Sequence, residues 1–288
     1  MRSLNYQLKQ LCKTNRDGSY STQSNRHKTL QKLANDLHAL GYRGMQPRSL
    51  KQKHVHALVN HYQSEKLAIG TLKNRLSVLR WWANKLGRPQ VVASTNEYYG
   101  IGSRQLVAKA SKAKTLEQEK FNRITCPYIQ MSLELQAAFG LRREESIKFQ
   151  PHYADQKDHI QLKSTWCKGG RARVIPIRTT QQRDVLNRAH QLAASGSLIP
   201  ADLTYVQQMR KYEKQCLKVG LSKMHGLRHA YAQQRYHELT GWIAPACGGP
   251  TSRRLTTEQK QLDLKARLII SAELGHRREQ ITASYLGR

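Results

Sequence analysis

The stretch Met224-His225-Gly226-Leu227-Arg228-His229-Ala230-Tyr231-Ala232 sets a histidine, an arginine and a second histidine at helical spacing. On a helix the three side chains project from one side and converge on one small anion, while Leu227, Ala230 and Ala232 suit the buried side. The chemistry on offer is phosphate handling. A solvated basic helix edge has the same local pattern, so the surrounding chain has to decide between the two. A metal site is not expected: no carboxylate lies between His225 and His229 as in His-Glu-x-x-His, and Arg228 repels a cation.

The charge balance favours a polyanionic partner. Lysine and arginine number 49 against 19 aspartates and glutamates, a formal net charge of +30 over 288 residues. Such an excess points to nucleic acid. A membrane surface is disfavoured, because no amphipathic helix sets large apolar residues against a basic face. No apolar run approaches the roughly 20 residues that span a bilayer. The opening Met1-Arg2-Ser3-Leu4-Asn5-Tyr6-Gln7 lacks the apolar centre of a signal peptide. Cys12, Cys126, Cys167, Cys216 and Cys247 are scattered, odd in number and free of any Cys-x-x-Cys pair, which fits reduced thiols in a cytoplasm.

The elements that must position the chemistry follow from apolar spacing. Helices are predicted from Ser3 to about Lys13, from Ser21 or Thr22 to Leu40, from near Ser49 to Glu65, and from Thr71 toward Gly87-Arg88-Pro89. In the last of these, Trp81 and Trp82 read as packing residues, while Lys73, Arg75 and Arg80 are candidate phosphate contacts. Weak periodicity between 90 and 115 predicts a basic linker, giving a helical DNA-binding domain over 1–90, the linker over 91–115 and a larger domain over 116–288. Beyond the linker, helices are predicted over 116–123, 128–139, 179–194, 205–218, 224–239 and about 258–274. Two strands, His159 to Lys163 and Arg173 to Ile177, flank the glycine turn Lys168-Gly169-Gly170-Arg171. The chain is therefore mainly α with a small β-hairpin, an α+β larger domain behind a helical N-terminal one.

Several dispersed motifs share one order. They are Gly140-Leu141-Arg142-Arg143-Glu144-Glu145, Lys168-Gly169-Gly170-Arg171, His225-Gly226-Leu227-Arg228, Glu273-Leu274-Gly275-His276 and Ile281-Thr282-Ala283-Ser284-Tyr285-Leu286-Gly287. In this order, and with this separation of His276 from Tyr285, the chain resembles the tyrosine recombinase, or phage integrase, family of site-specific DNA recombinases. The motifs cover about residues 115 to 285, and the N-terminal helices look similar to that family's core-binding domain.

The resemblance implies strand cleavage without ATP, with the bond energy kept in a covalent enzyme intermediate. Tyr285 is then the nucleophile forming a 3′-phosphotyrosine. A free phenol has a pKa of about 10, so positive charge must assist its attack. Arg142 and Arg228 supply that charge by holding non-bridging phosphate oxygens bidentately. His225 and His276 hydrogen-bond the same oxygens or assist proton movement, and Lys168 resembles the family's general acid for the leaving 5′-oxygen. Glu145 orients its basic neighbours, and His229 is a packing or supporting residue. Arg143 competes with Arg142, and Tyr231 with Tyr285, as less favoured candidates. Arg171 and Arg173 on the hairpin are candidate DNA contacts.

No cofactor is implied. The implied partners are double-stranded recombination sites, further copies of the chain in a synaptic homotetramer, and accessory DNA-bending proteins. The implied setting is a bacterial cytoplasm, at the nucleoid. Integration and excision of a mobile element is the favoured role. Chromosome-dimer resolution or DNA inversion is the enzymatic alternative, and a catalytically silent DNA-binding relative that retains the basic clamp is the alternative of a different class. Two departures stand out: only Leu286, Gly287 and Arg288 follow the nucleophile, where many members continue into a tail helix, and the segment from Gly241 to about Asp263 reads as an insertion.

Overall fold

The structure, a computed structural model, describes residues 2–288. The chain divides after Gln105 into two compact units.

The first unit contains α1 (Ser3–Thr14), α2 (Tyr20–Ala39), α3 (Gln52–Ser64) and α4 (Ile69–Lys85). Apolar residues three and four apart give each helix one buried face. Leu30, Leu33 and Leu37 of α2 meet Val55, Leu58 and Tyr62 of α3 and Leu72, Leu76, Leu79 and Trp82 of α4 in one core. Tyr62 carries a hydroxyl into this core and donates it to Asp36 at 2.7 Å, satisfying two groups that would otherwise be costly to bury. Residues 91–101 are not free linker: Val91, Val92, Tyr99 and Ile101 are buried in the same core.

The second unit begins at Leu106 and is assembled around helices that cover a small hairpin. In order, it contains α5 (Gln118–Asn122), α6 (Pro127–Phe139), α7 (Arg143–Ile147), α8 (Pro151–Ala154), β1 (His159–Leu162), β2 (Arg173–Pro176), α9 (Thr180–Ala193), α10 (Tyr205–Lys218), α11 (Gly226–Thr240), α12 (Thr257–Glu273) and α13 (Ala283–Leu286). The two strands pair antiparallel, with Ile160 opposite Ile175 and Leu162 opposite Arg173. Packing of Phe139, Leu141, Ile160, Ile175, Tyr236, Ile270 and Leu286 joins α6, the hairpin, α11, α12 and α13 into one core. The motif-bearing ends of these elements are thereby held on a shared hydrophobic base.

The segment from Gly241 differs from the expected insertion. Residues from Thr257 onward already belong to α12, which Thr256 caps by accepting the Gln259 N–H. Ala244, Ala246 and Leu255 are buried, so the loop is anchored at three points. Among the described residues, no helix is long and apolar enough to cross a membrane.

Candidate active site

Three helix junctions build the site. At the first, α6 ends at Gly140, whose φ of 61° lies in the left-handed region. Arg142 then becomes the N-cap of α7, and Glu145, three residues on, reaches back to accept the Arg142 backbone N–H at 2.7 Å. The same carboxylate accepts Arg142 Nη1 at 2.7 Å, so the cap also aims the arginine.

Gly140 is required for a second reason. A Cβ there would sit 2.6 Å from Tyr231 Cδ1. Gly140→Ala combines that clash with the left-handed penalty. The expected loss is about 2–4 kcal/mol in urea denaturation, and a loss below about 0.5 kcal/mol would contradict this geometry.

The second junction is the start of α11, where His225 is the N-cap residue and Arg228 and His229 follow on one face. Arg228 is completely buried. Its Nη1 donates to Gly140 O at 2.5 Å, its Nη2 to Leu274 O, and its Nε to the Tyr285 hydroxyl at 3.3 Å. Burial, followed by the neighbouring guanidiniums of Arg142 and Arg173, outweighs the favourable influence of Tyr285 and Glu145 and holds its pKa down at about 10. It still carries full charge at neutral pH.

The third junction is the end of α12. Leu274 and Gly275 close the helix, Gly275 with φ 67°, and His276 follows. The Leu274 carbonyl, left free by the helix end, takes Arg142 Nη2 at 3.2 Å as well as Arg228. One backbone oxygen therefore sets the spacing of the two guanidiniums. His276 Nε2 lies 3.3 Å from Tyr285 Oη.

Tyr285 sits on α13 and is only 6 % exposed. Its ring lies 4.7 Å from that of His229 and 6.2 Å from that of His225. Arg142, Glu145, His225, Arg228, His229, His276 and Tyr285 thus form one group. Lys168 does not join it: it is exposed in the connection between β1 and β2 and has no hydrogen-bond partner among the described residues. The rival candidates point elsewhere. Arg143 pairs with Glu213 at 2.7 Å on the surface, and Tyr231 donates to Glu273 at 2.7 Å beneath Gly140, where burial pushes its pKa well above the usual phenol range.

Two of the candidate DNA contacts need correction. Arg173 is only 8 % exposed and turns inward. Its Nη1 and Nη2 clamp Glu145 at 2.8 and 2.6 Å, while Nε donates to Glu273 O at 2.8 Å. Arg173 therefore ties the hairpin to the α7 cap and the end of α12. Arg80 is spent on Ala93 O, Thr95 O and Asn96 Oδ1, holding the loop after α4. Arg75 lies 4.0 Å over the Tyr62 ring. Lys73 and Arg171 are half-buried and have no ion pair among the described residues. The inward role of Arg173 had a signal in the sequence: it shares the alternation of Ile175, the face of β2 that is buried.

The charge on the site is governed by these arrangements. Burial raises the Glu145 pKa, but the Arg173 hydrogen bonds and the charges of Arg173, Arg142 and Arg228 prevail and hold it at about 2. Burial, then Arg228 and Arg142, lowers the His225 pKa. Burial, then Arg228, Arg142 and Arg173, pushes His276 down to about 4. His229 is also held down to about 4, by burial and then by His225, Lys112 and Arg228. At neutral pH the site therefore presents permanent arginine charge beside neutral imidazoles.

This sets the sign of an acid effect. His229 and His276 bind protons in the unfolded chain near pH 6.5 but in the folded chain only near pH 4, so the unfolded state holds more protons between those values. Stability should be full above about 6.5 and fall as pH drops toward 4, on the order of 1–2 kcal/mol for each histidine after solvent screening. Urea midpoints across this window check it, and His229→Gln should flatten the slope. An unchanged slope in that variant would contradict the assignment.

Comparisons with known proteins agree with this architecture. Residues 1–92 match the family model described as "Phage integrase, N-terminal", and residues 100–234 match the one described as "Integrase". The chain belongs to the phage integrase family of tyrosine recombinases. The matched residues include Arg142, Lys168, His225 and Arg228, whereas His276 and Tyr285 lie beyond them. No curated protein matches the sequence.

Among solved structures, a lambda integrase dimer bound to a COC′ core site is 16 % identical with a TM-score of 0.61, covering 98 % of this chain and 76 % of that one. A lambda integrase tetramer bound to a Holliday junction is 15 % identical with a TM-score of 0.59, covering 99 % and 77 %. XerH site-specific recombinase in a post-cleavage complex with palindromic difH is 17 % identical with a TM-score of 0.59, covering 99 % and 81 %. At these identities the likeness concerns the fold.

Proposed function

We propose that this recombinase cleaves and reseals DNA strands through a 3′-phosphotyrosine on Tyr285, and that it integrates and excises a mobile genetic element. The single observation that carries the chemistry is the Tyr285 hydroxyl, 3.3 Å from both Arg228 Nε and His276 Nε2. Because Oη accepts from Arg228, its own proton is free to point at His276, and the imidazole can take it once the negative charge of a bound phosphate offsets the guanidiniums that hold its pKa down. Phenol oxygen then attacks phosphorus, the bond to the 5′-oxygen breaks, and the leaving oxygen takes a proton from Lys168, which the β1–β2 connection must carry in from its exposed position outside the group. Arg142 and Arg228 stabilise the pentavalent phosphate. Reversal by a 5′-hydroxyl of a second strand reseals the DNA.

The helical unit before Leu106 is proposed as the core-binding domain and the unit after it as the catalytic domain. The phage-integrase character of the matched family supports the mobile-element role. Lambda integrase, which shares this fold, assembles as a tetramer on a Holliday junction, and the same assembly on double-stranded recombination sites is proposed for this chain.

The test is covalent capture. Nicked duplexes of random sequence, in which a short fragment diffuses away after cleavage, are incubated with the protein and denatured in detergent. Protein-linked DNA enriched in one sequence is expected. Tight binding with no adduct anywhere in the library would identify a silent DNA-binding relative instead. Lys168→Ala should cut cleavage about 10²–10⁴-fold. A bridging sulfur at the 5′ position should restore much of that rate, because a thiolate leaves without a proton. Equal loss on both substrates would remove Lys168 from the acid role.

A further inference from the structure

We infer that Gln233 is a positioning residue for the Tyr285 nucleophile, acting with the strap formed by residues 106–114; this rests on the proposed role of Tyr285. Gln233 lies one helical turn beyond His229 on α11 and is 9 % exposed. Its amide is used at both ends. Nε2 donates to the Tyr285 backbone carbonyl at 2.9 Å, and Oε1 accepts Ser111 Oγ at 2.9 Å.

The strap is fastened on both sides of that bond. Ala108 N donates to Ala283 O at 2.9 Å, and Lys114 N to Gly226 O at 3.0 Å. Its passage leaves no room for side chains beneath it. A Cβ on Gly226 would meet Lys114 Cγ at 2.6 Å, and one on Gly287 would meet Ala108 O at 3.0 Å. The strap therefore runs from the α13 backbone to the N-terminus of α11, and Gln233 closes the bridge.

The consequence is geometric. α13 has only four residues and cannot hold its own orientation. Its carbonyls and that of the residue capping it are held from outside: Ala283 O by the strap, Tyr285 O by Gln233, and Gly287 O by Arg267 Nη1 at 3.0 Å. Of these, the Gln233 bond falls on the reacting residue itself. Losing it frees the main chain that aims the phenol while leaving Arg228, His276 and the phosphate-binding groups in place. Misplacement by about 1 Å can cost on the order of 10²-fold in rate.

The experiment compares Gln233→Leu, Gln233→Glu and Ser111→Ala with the unaltered full chain. Gln233→Glu keeps the shape and the acceptor for Ser111 but sets a carboxylate oxygen against the Tyr285 carbonyl. Single-turnover cleavage at saturating DNA is expected to fall about 10- to 100-fold in both Gln233 variants and by less in Ser111→Ala, with DNA affinity unchanged. The structural readout is the ¹⁹F resonance of 3-fluorotyrosine placed at position 285. It should shift or split in both Gln233 variants, with a smaller change in Ser111→Ala. A resonance unmoved by Gln233→Glu, or a cleavage rate unmoved by it, would overturn the inference. If Gln233→Leu unfolds, Gln233→Glu and Ser111→Ala still decide. Because the resonance is read without DNA, a chain that never forms an adduct would sink the proposed chemistry and still leave the positioning contact open to judgement.

Discussion

Tyr285→Phe should form no covalent adduct on any DNA, a loss of at least about 10⁴-fold, while remaining folded. The two halves of this expectation have separate grounds. Tyr285 is buried in the core of the second unit, with the rings of His229 and His276 beside it, and phenylalanine preserves that packing. Only two long hydrogen bonds, to Arg228 and His276, are lost, a cost of about 1 kcal/mol. Arg228 retains Gly140 O and Leu274 O as acceptors. The chemical loss has no such cushion, because the other candidate phenol, that of Tyr231, is committed to Glu273 and pushed toward higher pKa. DNA affinity should stay within about threefold, since phosphate contacts dominate binding.

Arg228→Lys should cost about 10²–10³-fold in cleavage, equivalent to 2.7–4 kcal/mol of transition-state stabilisation. Arg228 spans Gly140 O, Leu274 O and Tyr285 Oη at once with a planar fork. A lysine ammonium is a compact charge on a flexible stem and cannot hold three acceptors so far apart in one plane. It retains the charge, so the variant separates geometry from electrostatics. Single-turnover rates with saturating DNA check it: a loss below about fivefold would show that charge alone suffices there. Arg142→Lys should be milder in its effect on the site's structure, because Glu145 remains clamped by both Arg173 nitrogens.

The motif residues were legible in the sequence because their order and residue types are local properties. Gly140 before Arg142, and Glu145 three residues after it, already encode a helix stop and a cap. The longer helices of both units were legible for a similar reason, since apolar spacing writes them directly, whereas α7, α8 and α13 are too short to show a period. What escaped depends on contacts between distant segments. Arg173 read as a hairpin charge, yet its partner Glu145 is 28 residues away, and only its inward place in the β2 alternation hinted at burial. Residues 91–101 lack periodicity because they pack as short turns, each placing one or two apolar side chains into an existing core. The part of the supposed linker beyond 105 lies along α11 and α13 through backbone bonds, which no side-chain pattern records. Gln233 was silent for the same reason: a glutamine on a helix signals nothing until its two partners, at 111 and 285, are known.

The central claim, that Tyr285 is the atom source for the covalent bond to DNA, can be read directly. Adduct captured on a nicked duplex is digested with nuclease and trypsin, and the nucleotide-bearing peptide is sequenced by mass spectrometry. The prediction is a 3′-phosphonucleotide on Tyr285 within the peptide Glu279–Arg288. A nucleotide found on Tyr231 or on any other side chain, or its persistence in Tyr285→Phe, would contradict it.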